Sequence, residues 1–534
     1  MTAACNARCV RLASFFLIAL SLSIGWGIRG NFGHEAGAMI AGVLSGIAVC
    51  LLSGRKDWHP RVAFFAFFGG IGWAFGGSIS YMYPISFLGS EQWATAAYGF
   101  FATFLVGFLW AGLGGMGTAL PAVLERERLN RFLAPVAFVL LIMAISDLWI
   151  HPWLADHLVI PGANLSDVTW NRHHNPLYWL DADWFAAVVA LTAVCLYDLV
   201  NRRFQKGTRL LFFTGIGVLL GGAGYALLEH FHLIQPLFGW LVVPLGDASA
   251  LNPATGLPYG SDAFLSNWPN FVHYYPHYMG PLLGACIGAA LYFRRWGTWN
   301  NDSGFILYLA GGWLLAFLLL PVLGSIPLQS FGGLRLTPPR SDDWAGIVGV
   351  FTGGSLYCLR RNLQSVAYTA SLTGILGGFG FAFVPFARSF LRLPGHPLLT
   401  PGGTPLFWEH YQSANWHSVM EQSHGFCHGL ALAIAIAFLA KSTPKLEDPL
   451  PKKRLPEGFS VAFVLLFITL MNVFKNVEEW TKESVQAVPL TMKAPFFASW
   501  NWSTQAWFLL IWTLLSAVLI LLMIWHTRKA LPVV

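Results

Sequence analysis

His417, Glu421, His424 and His428 follow one another at intervals of four, three and four residues. On a helix that spacing puts all four on one face. Imidazoles and a carboxylate one turn apart are donors that chelate zinc, iron, manganese or another divalent ion. The same row suits a proton relay or a hydrogen-bonded polar ligand, since histidine changes charge near neutral pH. A plainer alternative is a row of interfacial histidines satisfied by water and neighbouring helices. If the row is catalytic, Glu421 is its general base, with His424 and His428 as metal ligands or acid–base partners. Cys427 lies between the last two histidines but on another face.

A second polar group is the expected turn between the first two spans, Trp26-Gly-Ile-Arg29-Gly-Asn31-Phe-Gly-His34-Glu35, placed at or just inside the membrane surface. It offers His34 and Glu35 as further catalytic candidates, and Arg29 and Asn31 as substrate contacts. Later turns are similarly loaded: Arg172 to His174 ahead of Asp183, then Arg340, Asp342 and Asp343, then Lys475 with Glu478 and Glu479. Each pairs a cation with an acid at a helix start, where the helix dipole favours negative charge. Acidic capping beside interfacial tryptophans accounts for any one of them without a ligand. Arginines at positions 29 and 340 can hold a phosphate or carboxylate. Glu91, His273, His277 and Trp416 complete the candidate contacts, and their aromatic neighbours suit sugar rings or a lipid headgroup belt.

The elements that position these groups follow from composition. The chain has 534 residues, 55% hydrophobic and only 11% charged, with mean hydropathy +0.56. Soluble domains carry about 25% charged residues, so a soluble enzyme, a disordered chain and a nucleic-acid binder are excluded. Apolar stretches of about 20 residues, the length that crosses a bilayer, fall near 10–28, 35–54, 60–82, 91–120, 131–153, 183–201, 208–230, 273–294, 303–325, 343–360, 366–388, 415–440, 458–476 and 503–527. The first follows Arg8 and Arg11 but lacks a small-x-small cleavage site, so it reads as a span. Basic clusters follow every second span, among them Arg55/Lys56, Arg202/Arg203, Arg294/Arg295, Arg360/Arg361 and Lys441 to Arg454. Lysine and arginine mark the cytoplasmic side, so both termini are expected inside, in an inner (plasma) membrane. Of the sixteen histidines, only His59 and His526 are then cytoplasmic. The net charge of +7 is a consequence of topology.

The expected fold is an all-α polytopic protein of about fourteen spans, built from three parallel four-helix repeats and a two-helix half unit. The repeat rests on Gly69-Gly-Ile-Gly-Trp73, Gly221-Gly-Ala-Gly-Tyr225 and Gly377-Gly-Phe-Gly-Phe381. Asp183-Trp184 with Thr192 and Leu196 likewise matches Asp343-Trp344 with Thr352 and Leu356. The boundaries are 1–130, 131–300, 301–441, a cytoplasmic linker over 442–457, and 458–534. No strand precedes the Gly-Gly-x-Gly segments, so they are not dinucleotide loops; small residues instead let membrane helices approach closely. If the repeats are related by a threefold axis, Glu91, His273 and Glu421 face one central cavity. The cysteines imply no disulfide framework.

Two functions fit. One is a transporter for a small solute, a sugar or organic anion, entering from the outer side. The other is a membrane-embedded enzyme at the outer leaflet, metal-dependent in one version, acting on a lipid-linked glycan, a headgroup or an acyl donor. A non-catalytic receptor or assembly subunit explains least. Ion-coupled carriers hold an ionisable group near the bilayer midplane; here Asp147, Glu229 and His428 come closest. The partners expected are the bilayer and a small or lipid-linked substrate.

Overall fold

A computed structural model of the chain describes residues 2–32, 35–79, 81–88, 93–153, 182–201, 207–233, 276–296, 303–325, 343–395, 406–447, 455–473, 489–494 and 497–530. Nearly all of them are helical. The helices are α1 (Thr2–Phe32), α2 (Glu35–Leu52), α3 (Val62–Gly77), α4 (Met82–Leu88), α5 (Trp93–Val123), α6 (Arg126–Ile145), α7 (Ala182–Asn201) and α8 (Gly207–His230). There follow α9 (Pro276–Trp296), α10 (Ser303–Ser325), α11 (Asp343–Arg360), α12 (Gln364–Leu391), α13 (Leu406–Ser413), α14 (Trp416–Ser442), α15 (Leu455–Ala462) and α16 (Thr504–Ala530). Every one of the fourteen expected stretches falls on a helix. Among the described residues, nine helices are long and apolar enough to cross a membrane. The other five stretches lie on α3, α7, α9, α10 and α11. Of these, α3 has only 16 residues, and within α7 and α10 the described apolar runs are Val188–Tyr197 and Gly304–Phe317. This is an all-α membrane protein in its class.

A short hairpin, unforeseen in the sequence, precedes α16. Strand β1 (Thr491–Ala494) pairs antiparallel with β2 (Phe497–Ser503), with Thr491 opposite Ser503 and Lys493 opposite Asn501. Trp507 of α16 donates its indole N–H to the Met492 carbonyl at 3.1 Å, tying hairpin to helix.

The chain divides into two compact units. Unit 1 is Met1–Ser78, Phe104–Arg126 and Gln364–Val534; unit 2 is Ile79–Thr103 and Glu127–Leu363. This division does not run along the repeat boundaries.

In unit 1, contacts pass from α3 to α2, α2 to α1, α1 to α14 and α14 to α12. The part of α5 from Phe104 onward packs on both α12 and α3, with Gly115 against Thr373 and Gly76 against Trp110. Six helices therefore close into a ring. Apolar lipid tails give helices no hydrophobic reason to associate, so small residues and close packing must supply the attraction. Gly425 shows how close: a Cβ there would lie 2.6 Å from the Trp26 Cβ and 2.8 Å from the Leu22 carbonyl oxygen.

Two arginines finish helices at one end of the unit. Gly54 takes φ +78°, a region open to glycine at little cost, as the chain turns into Arg55. Arg55 Nη1 donates to the Ala440 and Thr443 carbonyls at 2.9 and 3.0 Å, and Nη2 to Pro444 at 2.7 Å. These satisfy oxygens that the C-terminus of α14 would otherwise leave orphaned. Asp57 holds the guanidinium through two bonds of 2.9 and 2.6 Å. The fully buried Arg61 does the same for α5, donating to Pro121 and Leu124 at 2.8 and 2.6 Å.

Unit 2 contains two glycine-mediated helix pairs. Gly217 and Gly221 of α8 meet Gly284 and Gly280 of α9, and Gly312 of α10 meets Gly349 of α11. Helix α7 packs on α10. The three Gly-Gly-x-Gly segments all lie at close helix contacts, but against different partners. Gly69 faces Gly42 of α2, Gly221 faces α9, and Gly377 faces Ala111 of α5 and His428 of α14.

Candidate functional site

The interior of the unit 1 ring is where the polar groups collect. Helix α14 begins at Asn415, whose side chain accepts the Ser418 N–H at 3.0 Å. That cap sets the start of the helix, and its packing on α1 and α12 turns Glu421, His424 and His428 inward, where all three are buried. The one-face reading of these three residues holds. Trp26 and Arg29, expected in a surface turn, lie instead one turn apart on α1, which continues to Phe32, and both are buried. Ser23 of α1 donates to the Gln422 carbonyl at 2.8 Å, which locks the two helices in register.

Arg29 Nη1 donates to Glu421 Oε1 at 3.1 Å, with the two side chains only 4% and 5% exposed. The guanidinium lies 4.8 Å from the centre of the Trp110 ring and 5.7 Å from that of Trp26. Each aromatic face adds cation–π attraction of about 0.5–2 kcal/mol, more where water is excluded. His417, half-exposed at 51%, brings Nε2 to 3.6 Å from Glu421 Oε1. The row thus runs from a solvated imidazole through a buried ion pair to two fully buried imidazoles.

Those two imidazoles sit in an aromatic box. Phe381 of α12 stacks on His424 at 3.7 Å and on His428 at 5.2 Å, with interplanar angles of 13° and 16°. Trp73, Trp26 and Trp110 surround His428 at 5.6, 6.0 and 6.2 Å. Trp26 also meets Trp110 edge-on at 4.9 Å and Trp73 at 5.6 Å. Such aromatic pairs contribute about 0.5–1.5 kcal/mol each beyond area burial. Neither ring nitrogen of His428 has a hydrogen-bond partner among the described residues. A buried polar group in that state costs about 1–3 kcal/mol.

The expected metal set is not assembled. Among the described residues, no group of three or more histidine, cysteine, aspartate or glutamate side chains is arranged to hold a metal ion. The physical reason is visible in the partners. Glu421 is turned to a guanidinium, whose charge opposes a divalent cation, and the His424 ring is laid flat on Phe381. No step through a metal follows from this arrangement.

The other candidates are placed as follows. Glu35 opens α2, and Trp416 opens α14, donating to the Tyr411 carbonyl at 2.9 Å and packing on the Tyr411 ring. Trp416 therefore anchors the start of the site helix. Asn31 lies in the last turn of α1, Asp183 and Asp343 in the first turns of α7 and α11, and His277 in the first turn of α9, with only their backbones described. His34, Glu91, His273, Arg340 and Asp342 fall outside the described residues, and so does the shared cavity of Glu91, His273 and Glu421.

The aromatic wall is not among the features expected from the sequence. One signal was present: Trp73 and Phe381 are the aromatic residues that close the first and third Gly-Gly-x-Gly segments, and both face His428. A second was the three-residue spacing of Trp26 and Arg29. Nothing in the sequence marks Trp110.

The chain matches no protein-family model, no curated protein and no solved structure.

Proposed function

We propose that this integral membrane protein is a transporter for a small polar solute, a sugar or an organic anion, with the Arg29–Glu421 pair as its binding centre. The reading is carried by one observation: an ion pair sealed inside a ring of membrane helices. Charged residues within spans are expensive and mark substrate or ion pathways. A buried pair is at best weakly stabilising, because desolvation offsets the Coulomb attraction, so packing alone gives little reason to place it there. A solute carboxylate or hydroxyl can exchange with Glu421 for the guanidinium, whose planar fork donates to two oxygens side by side. Trp26 and Trp110 then face a sugar ring or an apolar flank, and His428 offers a free ring nitrogen deeper in. The half-exposed His417 stands at the entrance, which the charge asymmetry of the sequence puts on the outer face of a plasma membrane.

The test is uptake by proteoliposomes containing the purified protein, against a panel of labelled monosaccharides, mono- and dicarboxylates. Saturable uptake of one class is expected, with Arg29→Gln and Glu421→Gln each lowering it by about tenfold or more, as for a lost charged contact. Solute binding should also change the fluorescence of the clustered tryptophans. Turnover of a lipid-linked glycan or acyl donor in the same vesicles, without solute uptake, overturns transport in favour of an outer-leaflet enzyme.

A further inference from the structure

Unit 2 carries an apolar groove of about 870 Å³ between α7, α8, α9, α10 and α11, within the range of sites that hold small molecules. Leu211, Ile287, Leu315 and Leu356 line it and remain well exposed. Its threonine hydroxyls are already used within their own helices. Thr192 donates to Val188 at 2.9 Å, Thr214 to Leu210 at 2.5 Å, and Thr352 to Val348 at 2.8 Å. A polar ligand would give up its hydration for nothing, whereas a hydrocarbon chain forfeits nothing there.

Cations stand at one end of the groove. Helices α8 and α9 are antiparallel, since Gly221 meets Gly280 while Phe213 meets Gly288. Helices α10 and α11 are antiparallel by the same logic, with Gly312 on Gly349 and Tyr308 on Gly353. Leu199, Leu210, Tyr292 and Ile306 share one buried cluster, which brings the end of α7, the start of α8, the end of α9 and the start of α10 together. Arg209 precedes the lining residues Leu210 and Leu211, and its guanidinium lies 5.2 Å from the Trp296 ring centre. Arg360 lies one turn beyond Leu356 and donates to the Tyr308 hydroxyl, itself on the groove wall, at 2.7 Å.

We propose that this groove binds an acyl chain of an anionic phospholipid, with the headgroup phosphate held by Arg209 and Arg360. Basic sites between membrane helices on the cytoplasmic side recognise anionic headgroups in this way; Arg360 belongs to a basic cluster that marks that side, and Arg209 comes shortly after the Arg202/Arg203 cluster. The site is independent of the ion pair in unit 1.

Native mass spectrometry of the purified full chain tests it, titrating dioleoyl phosphatidylglycerol against dioleoyl phosphatidylcholine. The anionic lipid is expected to bind roughly tenfold tighter, and Arg209→Gln with Arg360→Gln to abolish the difference. Gly311 lines the groove, and a Cβ on it meets nothing within 4 Å. Gly311→Phe therefore fills the groove and should weaken both lipids, with the melting temperature confirming that the variant folds. Equal binding of the two lipids by the wild type, or undiminished binding by a folded Gly311→Phe protein, overturns the proposal. Wild-type protein labelled with a phosphatidylglycerol bearing a diazirine in its tail gives an answer that no variant can confound. Label is expected on α7 to α11, and label confined elsewhere overturns the assignment.

Discussion

Individual side chains in this protein are held by partners that the sequence does not announce. Arg55 reads as a topology marker, yet it and Arg61 both cap helix C-termini, through three and two carbonyl bonds. Asp57, hydrogen-bonded to Arg55 and to the Leu446 N–H, has its carboxyl lowered to about 2, chiefly by the Arg55 bond. An unfolded aspartate titrates near 3.9. A depressed folded value means that Asp57 stabilises the protein fully above about pH 4, and that this contribution fades as pH falls towards 2. The melting temperatures of wild type and Asp57→Asn should therefore differ most at pH 6 and converge between pH 4 and 2. A gap that stays constant with pH would mean that the carboxylate charge is not what holds Arg55.

Helices pack here according to where glycine allows backbones to meet. Gly425 sits against Trp26 and Leu22, whereas a Cβ on Gly215 of α8 would meet nothing within 4 Å. Gly425→Val should push α14 from α1, costing about 1–3 kcal/mol by overpacking. Gly215→Ala should be neutral or raise stability by up to about 1 kcal/mol, the helix preference of alanine over glycine. Thermal unfolding in detergent checks both; equal effects would show that glycine is not what sets the α1–α14 distance. At this scale some residues matched between the expected repeats share surroundings. Thr192 and Thr352, matched between α7 and α11, line the same groove, as do Leu196 and Leu356. Trp73 and Phe381, matched between α3 and α12, line the same site. The glycines beside them nonetheless face different neighbours, because sequence similarity constrains a helix surface and not which helix covers it.

For the molecule as a whole, the charge pattern makes a topological prediction. His417→Cys, at a half-exposed position, should react with an impermeant maleimide added outside intact cells. Lys445→Cys, beyond the C-terminus of α14, should react only after permeabilisation. The opposite pattern would invert the protein, and would put the entrance to the ion pair in the cytoplasm. Both positions flank one helix, so the two outcomes are mutually exclusive.

Hydrophobicity and residue spacing alone are enough for the membrane class, the places where helices form and the sharing of one helix face by Glu421, His424 and His428. Those properties are local: they depend on hydrophobicity over about 20 residues and on a 3.6-residue period. What that face meets depends on the packing of distant helices. Arg29 and Glu421 are 392 residues apart, and their pairing depends on α1 and α14 packing through Gly425 and Ser23. The same packing turned the carboxylate to an arginine and laid the imidazoles on Phe381, which is why a spacing suited to a metal became a buried ion pair beside an aromatic box. Spacing along one helix sets the donors; which helices surround them is a matter of fit between distant surfaces, and no single stretch of sequence records it.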